Sequence, residues 1–509
     1  MASFLSDRST TLSSSGVGAR GCWIASKSRP ATNFRYQLHS SAWKATALSP
    51  TKRIQREIPG SYGLPLLGSI SDRFNYFYFQ GTEEFFRSRA EKYQSTVFRV
   101  NMPPGPPFFP DPRVIVLLDQ QSFPALFDVS KVSKRDVFTG TYKPSADFNG
   151  GYRILSYLDA DEPRHAQIKA FCFDMLKSRA KSIVPGMDFA ACRCFDRWEK
   201  ELRAKQAPEL VSSIEEICLA FLTRALMDHD ATGASGLSTE TIKKWLAPQI
   251  APVALLDAIP PPIMELLHVF PLPFAVVKKD YEAIVSYFSA HSTALLDLAA
   301  THGVPRDEAL HNLIFMVCFN TFGGLIRLLP EVVQRVHESG VAKELSNEVA
   351  AAVRDAGGRL TARSIDGMPL LHSVVYECLR FQPPVPFQYA RARQDMVIES
   401  HKEAFRVKKG EMLCGFQPFA TRDGVVFDRP NEFLPRRFMG DDGAKLLKYV
   451  LWSNGPQTEN PSVDNKHCAG KDFIVLVTRL FLAEFFLRYE SFQLDGQSIK
   501  SLSRRSPST

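Results

Sequence analysis

A polar, glycine-containing loop near the C-terminus constrains this chain more than any other segment. Its sequence, WSNGPQTENPSVDNKHCAGKDF, places Cys468 just before a long apolar helix. Free backbone N–H groups and the positive end of the helix dipole stabilise a thiolate at such a position, so we expect a lowered thiol pKa and a metal-ligating sulfur. The small residues Ala469 and Gly470 let the backbone approach a flat macrocycle closely. Taken alone, however, one cysteine before a helix is more often structural.

A second motif, YECLR, favours a functional role for Cys468 over a structural one. Glu377 and Arg380 stand at positions i and i+3, on one face of a predicted helix, where they can form a buried ion pair. An isolated pair of this kind is usually a surface salt bridge that contributes little. Followed by the cysteine loop, the ExxR motif resembles that of the cytochrome P450 superfamily, and the resemblance covers residues 58–492.

The resemblance implies a mainly α fold with a small β-sheet region. It also implies haem b bound through the Cys468 thiolate, which pushes electron density onto the iron. The superfamily loop FxxGxRxCxG is represented here by Trp452, Gly455, Lys466 and Gly470, with the insertion PQTENPSVDN between its two halves. That insertion is typical of the group that contains the allene oxide synthases, hydroperoxide lyases and divinyl ether synthases.

The central helix also differs from that of the oxygen-activating members of the superfamily, and this difference points to the same group. Those members carry an acid and a threonine that deliver protons to bound dioxygen, whereas this chain has FNTFGG. The Asn320 amide can hydrogen-bond a peroxide but does not readily relay protons. A buried asparagine at a helix distortion beside Gly323 and Gly324 is the plain alternative. We therefore expect a substrate that already contains the O–O bond, with no need for dioxygen or a reductase.

Two segments, KRDVFTGTYKPS and NGGYRILSYLD, resemble the allene oxide synthase branch, which has an aromatic residue where Phe138 stands. A ring face there would stabilise a developing cation or radical and shield it from water, although on residue type alone core packing is the better explanation. Ser156 is a further pocket candidate. One feature differs: many members have GGMK, whereas GGLIR here has Ile326 at the lysine position and Arg327 one step later. A one-residue shift rotates a helical side chain by about 100°.

The resemblance also implies which residues hold the haem propionates: Lys134, His165, Lys169 and Lys466. A buried anion needs cationic or hydrogen-bond-donating partners. His165 and Lys169, at positions i and i+4, share one helix face and can act together. Each of the four residues, taken singly, could instead be a solvated surface residue.

The function that the resemblance predicts is that of a lyase. It would convert a fatty acid hydroperoxide, such as 13-hydroperoxy-octadecatrienoic acid, to an allene oxide and water, in the biosynthesis of oxylipins such as jasmonates. Hydroperoxide lyase and divinyl ether synthase stay open on the same scaffold. A reductase-dependent monooxygenase and a non-enzymatic haem protein are more remote alternatives.

Composition and local patterns suggest three regions. Residues 1–57 are rich in Ser and Thr and almost free of acids, which favours a plastid transit peptide over a merely disordered leader. Residues 58–492 form the expected haem domain, and residues 493–509 a C-terminal tail. The leader supplies part of the net charge of +8, so this charge does not indicate nucleic acid binding.

Periodicity predicts a β-hairpin from TVFRVNMP and RVIVLLD, and a mainly helical body from residue 162 onward. Residues 245–278 are apolar but interrupted by many prolines, so they cannot form a single membrane-spanning helix. They are either a buried loop between two helices or an exposed flap that meets a membrane interface and collects an apolar substrate.

Overall fold

The protein is described here by a computed structural model that covers residues 54–505, except residues 110, 232–236 and 257–258. Residues 1–53, which contain most of the expected leader, lie outside the described part. Most of the described chain is helical, as predicted. The α-helices are α1 (Leu67–Phe74), α2 (Thr82–Tyr93), α3 (Pro163–Ser178), α4 (Ala180–Arg203), α5 (Leu210–Met227), α6 (Thr239–Ile250), α7 (Pro261–Val269), α8 (Lys278–His291), α9 (Thr293–Thr301), α10 (Arg306–Ile314), α11 (Gly323–Ser339), α12 (Ala342–Asp355), α13 (Ala362–Asp366), α14 (Pro369–Phe381), α15 (Gln417–Ala420), α16 (Gly440–Leu446) and α17 (Lys471–Arg488).

Three small sheets accompany the helices. The strands are β1 (Ile54–Arg56), β2 (Val97–Asn101), β3 (Arg113–Leu117), β4 (Val132–Ser133), β5 (Phe387–Ala392), β6 (Met396–Glu399), β7 (Glu403–Val407), β8 (Met412–Phe416), β9 (Tyr489–Asp495) and β10 (Ser498–Arg504). The largest sheet has the order β2-β3-β8-β5-β4, and the others are β1-β7-β6 and β9-β10. The predicted hairpin is confirmed, because β2 and β3 pair antiparallel with Val97 opposite Leu117.

The largest sheet is buried on both faces, which explains why its strands are apolar without strict alternation. Ile115 and Leu117 of β3 belong to one apolar cluster, whereas Val114 and Val116 belong to another on the opposite face. The main core lies among the helices and includes most of α5, α11, α14 and α17. The sheets therefore flank a helical body that holds the candidate site.

The central helix is continuous from Arg306 to Ser339, since a π-helical segment, Phe315–Phe322, joins α10 to α11. It is long and apolar enough to cross a membrane. However, Leu313, Leu325 and Leu329 are fully buried within the main core, so the apolar character of this helix is explained by packing inside the protein. π-helical segments inside α-helices often mark functional sites.

Paired strands lie beyond both expected domain boundaries. At the N-terminal side, β1 begins at Ile54 and pairs in parallel with β7, before the expected start at residue 58. At the C-terminal side, β9 and β10 form an antiparallel hairpin that crosses residue 492, and Ile499 is buried in the main core. The described fold therefore includes residues on both sides of the expected haem domain, and the segment expected to be a tail contributes a strand.

As predicted, the proline-rich segment 245–278 does not form a single long helix. It comprises the end of α6, short 3-10 turns at Ala251–Val253 and Phe274–Val276, and α7. The segment is neither wholly buried nor wholly exposed. Trp245 and Met264 are buried, whereas Ile263, Leu266 and Phe270 are exposed to solvent.

Candidate functional site

Cys468 lies at the wall of a large internal cavity, one loop turn before α17 begins at Lys471. The cavity has a volume of about 350 Å³. Small residues shape the loop as expected: a Cβ atom on Gly470 would lie 4.0 Å from the Cys468 Sγ, and one on Gly455 would collide with the His467 ring at 2.6 Å. The insertion is held by the Asn465 side chain, whose Oδ1 accepts the backbone N–H groups of Ser462 and His467, each at 3.1 Å.

The expected lowering of the Cys468 pKa is not observed. Burial raises the pKa of this thiol, and the backbone N–H of Gly470 and the charge of Lys169 only partly offset that effect. The helix dipole acts within a single turn, whereas desolvation acts on the whole thiolate. A metal ion deprotonates a coordinated thiol outright, so iron ligation rather than the helix dipole has to produce the thiolate here.

The four residues predicted to hold an anion come together at the same cavity. Lys134, His165, Lys169 and Lys466 all line it. Their polar atoms meet carbonyl oxygens instead of carboxylates. Lys134 Nζ donates to the Tyr389 carbonyl at 2.8 Å, and Lys466 Nζ donates to the Leu155 and Leu158 carbonyls at 2.9 and 2.8 Å. Lys169 Nζ donates to the Asn465 side chain at 3.1 Å.

The electrostatics of this cluster favour an anionic ligand. Burial, reinforced by neighbouring cations, lowers the pKa of Lys134 and of Lys466 to about 7. Burial also lowers the pKa of Lys169 to about 8 and that of His165 to about 3. These cations form no ion pair with any carboxylate of the described residues. A bound carboxylate would restore their charged forms, so the cluster fits the two propionates of a haem.

Other observations fit the same cofactor. No group of three or more His, Cys, Asp or Glu side chains in the described residues is arranged to hold a metal ion. Cys468 would therefore serve as the protein's ligand to a haem iron, with the porphyrin supplying the others. The buried Trp452 Nε1, which lines the cavity, has no hydrogen-bond partner and is available as a further donor. The sequence had identified Trp452 only as part of the loop motif.

Asn320 reaches the cavity from the π-helical segment of the central helix. Its Nδ2 donates to the Ser156 Oγ at 3.4 Å, so the two predicted substrate-binding residues lie side by side. Thr321, which follows Asn320 directly, also lines the cavity but was not predicted as a site residue. The Thr321 hydroxyl, however, donates to the Met316 carbonyl at 2.7 Å, which leaves Asn320 and Ser156 as the polar groups of this segment of the wall.

Phe138 lines the cavity and also packs in an aromatic cluster, so the two explanations of this residue are not exclusive. Its ring centroid lies 5.6 Å from that of Tyr157, 6.0 Å from that of Phe315 and 5.8 Å from that of Phe319. Edge-to-face pairs of this kind fix a ring in place. The ring beside Asn320 is therefore rigidly held.

The one-residue shift in GGLIR has an unexpected structural outcome. Arg327 lines the cavity, whereas Ile326 is buried in the core and does not reach it. The sequence shows only that Arg327 points about 100° away from the side chain at position 326. A cationic side chain is thus present in the wall, one position later than in the lysine-containing relatives.

The predicted ion pair of YECLR is fully buried and bidentate. Arg380 Nε donates to Glu377 Oε2 at 2.7 Å, and Arg380 Nη2 donates to Glu377 Oε1 at 2.8 Å. Arg437 joins the pair at 3.0 Å from Glu377, and Arg380 also donates to the Pro430 carbonyl at 2.8 Å. Arg437 was missed because nothing in its local sequence shows that it packs against Glu377. The network fastens α14 to the segment that leads to the cysteine loop.

The helical fold, the buried ion-pair network and a cysteine loop beside a cation-lined cavity define a haem-thiolate protein of the cytochrome P450 class, and a cytochrome P450 family model matches residues 336–505. The chain is 50% identical over 445 residues to a chloroplastic allene oxide synthase of Arabidopsis thaliana, with 86% of each chain covered. It is 48% identical over 446 residues to chloroplastic allene oxide synthase 1 of Solanum lycopersicum, with 86% of this chain and 83% of the relative covered. A divinyl ether synthase of Nicotiana tabacum is 41% identical over 450 residues, with 87% of this chain and 94% of the relative covered. The chain belongs to the family of plant cytochromes P450 that contains the allene oxide synthases and divinyl ether synthases.

Proposed function

We propose that this protein is a hydroperoxide dehydratase that converts a fatty acid hydroperoxide to an allene oxide and water. The observation that carries the proposal is the pairing, in one largely apolar cavity, of the Cys468 sulfur with the neutral amide of Asn320, where oxygen-activating members have an acid. The names of the relatives support the same reaction. Phe138 supports the synthase over the lyase, since lyases tend to have an aliphatic residue there.

The residues of the chain have separable roles in this reaction. Haem b, when bound, would supply the chemistry that cleaves the O–O bond; Cys468 would hold its iron, and Lys134, His165, Lys169 and Lys466 would hold its propionates. Asn320 Nδ2, supported by Ser156, donates a hydrogen bond to the peroxide and orients it. The amide holds the peroxide without donating a proton to it, so the oxygen atoms and electrons of the reaction come from the substrate.

The aromatic residues determine what happens to the carbon chain after the O–O bond breaks. The ring of Phe138, held against Phe315 and Phe319, presents a face to the reacting carbons and excludes water from them. In that dry pocket the hydroperoxide loses its distal OH and one C–H hydrogen as water, and the oxygen that remains closes to the epoxide instead of the chain being cleaved. The lyase and the divinyl ether synthase differ only at this step.

Product analysis tests the proposal. Purified protein loaded with haem is incubated with 13-hydroperoxylinolenic acid, without NADPH, and the products are identified by mass spectrometry. Ketols and a cyclopentenone, the decay products of an allene oxide, are expected. A six-carbon aldehyde with a twelve-carbon oxo acid would show a lyase, and a divinyl ether would show the third activity. Turnover that requires NADPH and consumes dioxygen would overturn the whole assignment.

We also propose that the protein docks at a lipid surface through an exposed apolar patch. The patch comes from three parts of the chain: α1 with the loop before it and the π-helical turn after it, the loop after β2, and segment 245–278. Its members are Leu64, Leu66, Leu67, Phe79, Phe108, Ile263, Leu266, Phe270 and Val276. The separate segments are joined by the Phe108–Phe270 ring contact at 4.4 Å and by the Arg73–Glu265 ion pair at 2.8 Å. Single exposed apolar residues are ordinary, but a contiguous patch marks an interaction surface.

The position of the patch supports substrate collection from the lipid. Leu246 and Ile250 of α6 line the cavity, and α7, which carries the exposed Ile263 and Leu266, is the next α-helix along the chain. Flotation with liposomes of plant galactolipids tests the proposal. The double variant Ile263→Ser with Leu266→Ser should remain in the soluble fraction, whereas Val425→Ser, an exposed valine outside the patch, should float with the wild type. Equal flotation of all three proteins would refute the docking surface.

Finally, we propose that residues 1–57 direct the protein to plastids, as their composition suggests. Several relatives bear the name chloroplastic. Import of the radiolabelled full chain into isolated chloroplasts should yield a shortened, protease-protected product. A chain that begins at residue 54 should stay outside, and import of that chain would contradict the proposal.

A further inference from the structure

Four aromatic side chains form a continuous row that leads away from the cavity wall. Trp245 of α6 lies edge-on to Phe319, a ring of that wall, with the ring centroids 6.4 Å apart. The Trp245 ring stacks on Tyr281 of α8 at 5.6 Å, with an interplanar angle of 12°. Tyr281 stacks on His311 of α10 at 5.8 Å, and His311 stacks on Tyr152 at 5.6 Å. These four residues, Trp245, Tyr281, His311 and Tyr152, make up an aromatic row.

The aromatic row runs from the buried interior to the protein surface. Trp245 is fully buried and Tyr281 is only 4% exposed. Tyr152, at the other end, is partly exposed, and the side chain of its partner Asp307 is 69% exposed. The row therefore connects a dry cavity wall to a place that a dissolved reductant can reach.

Each tyrosine of the aromatic row has a proton acceptor in place. Burial lowers the pKa of His311, so its ring is neutral, and the Asp307 carboxylate 3.8 Å from Nε2 favours the tautomer that is protonated there. His311 Nδ1 then accepts the Tyr281 hydroxyl at 2.6 Å. The Tyr152 hydroxyl donates to Asp307 Oδ2 at 2.7 Å. A phenol that loses an electron becomes a strong acid, so it is oxidised most readily where a base stands within hydrogen-bond reach.

The chemistry of a hydroperoxide cavity gives such a row a use. Homolytic cleavage of an O–O bond leaves the site one electron short until the carbon radical returns that electron. When the radical escapes, the missing electron is taken from whatever group lies nearest, which damages the pocket. Tryptophan and tyrosine are among the side chains that give up one electron most easily, and rings in contact let the deficit move outward.

We propose that the aromatic row carries electrons from a dissolved reductant of the ascorbate class to the cavity when a turnover fails, and so restores the site. This inference rests on the haem and the hydroperoxide of the proposed function, but not on formation of an allene oxide. The electron deficit moves from Trp245 through Tyr281 to Tyr152, which becomes a phenoxyl radical while its proton rests on Asp307. The reductant then gives one electron, and the proton returns to the phenol.

The atoms and electrons of this recovery balance. The hydroperoxide gains one electron and one proton and yields water and an alkoxyl radical. The reductant loses the same electron and releases the same proton. The tyrosines, His311 and Asp307 end as they began.

Trapping of the protein radical tests the inference without measuring turnover. Haem-loaded protein is mixed with cumene hydroperoxide, which cannot form an allene oxide, and with a nitroso spin trap, and the adducts are located by peptide mass spectrometry. The wild type should carry the adduct at Tyr152, and the haem-free protein should not. Tyr281→Phe should lower that adduct several-fold and increase oxidation at Trp245, because the row is broken beyond the tryptophan. Adducts at Tyr157 or Tyr389 beside the cavity, with none at Tyr152, would overturn the inference.

Bleaching of the haem by repeated additions of cumene hydroperoxide measures the protection. Ascorbate should slow bleaching of the wild type several-fold. Tyr281→Phe and the surface variant Tyr152→Phe should lose most of that protection, with the initial rate on 13-hydroperoxylinolenic acid unchanged. Tyr93→Phe, a partly exposed tyrosine that packs in the apolar cluster of the largest sheet, should keep it.

Equal protection of all four proteins by ascorbate would refute the aromatic row. The proposed function fails separately. A wild type that traps the radical at Tyr152 but makes no allene oxide from 13-hydroperoxylinolenic acid would refute the proposed function alone.

Discussion

Glu484 offers the clearest test of how burial controls the stability of this protein. It lies in α17, where that helix packs against α4, with only 9% of its surface exposed. It forms no hydrogen bond or ion pair with any described residue, and the nearby charge that acts on it is the like charge of Asp188 on α4. Burial, reinforced by Asp188, raises the pKa of Glu484 to about 7.

The direction of the pH dependence follows from proton binding. The ordinary pKa of a glutamate is 4.5, so the unfolded chain loses this proton before the folded chain does. Stability is therefore highest below about pH 4.5 as far as this residue is concerned, and falls as the pH rises through the interval up to about 7. Above that interval the ionised carboxylate costs about 3 kcal/mol, because each pKa unit corresponds to about 1.4 kcal/mol. Glu484→Gln removes that cost while keeping the shape of the side chain.

Denaturant unfolding of the haem-loaded protein measures the effect. The free energy of unfolding of Glu484→Gln should exceed that of the wild type by about 3 kcal/mol near pH 8 and by less than about 1 kcal/mol near pH 5, less a constant cost for the buried amide. Glu490→Gln, an exposed glutamate at the start of β9, should show no such pH-dependent gain. A gain of equal size at both pH values would refute the reasoning, since it would not arise from ionisation.

Three further predictions concern the cavity. Asn320→Leu should lower kcat by about 100-fold through loss of a hydrogen bond to the reacting oxygen, with haem content unchanged, as checked by stopped-flow kinetics and pyridine haemochrome absorbance; an unaltered kcat would remove the role of the amide. Phe138→Leu should shift the products from ketols toward chain-cleaved aldehydes, as measured by gas chromatography. An unchanged product ratio would show that Phe138 has only a structural role. The double variant Lys134→Gln with Lys466→Gln should bind haem at least about 10-fold more weakly, while Lys445→Gln, an exposed lysine, should not; equal haem affinities in titration would contradict the propionate cluster.

Most of what the sequence predicted correctly depends on short spacings. Glu377 and Arg380 are three residues apart, and Cys468 precedes its helix directly, so local geometry places them. Arg437 could not be predicted, because its contact with Glu377 forms only when a distant segment folds back onto α14.

Two expectations concerned properties that local sequence does not determine. The pKa of Cys468 was misjudged because burial, a property of the whole fold, outweighs the dipole of one helix. Whether the side chain at position 326 or at position 327 reaches the cavity depends on which face of α11 packs into the core, and the whole fold sets that face.

The polar groups of the cavity are separated by charge. Buried lysines surround the place suited to propionates, whereas a neutral amide and a hydroxyl stand where the peroxide is proposed to bind. A carboxylate in place of Asn320 would pair with cations of the cavity wall and supply a proton-relaying group at the peroxide. Under the proposed function, the neutral amide at this position therefore prevents proton delivery to the peroxide and leaves the lysines free for the propionates.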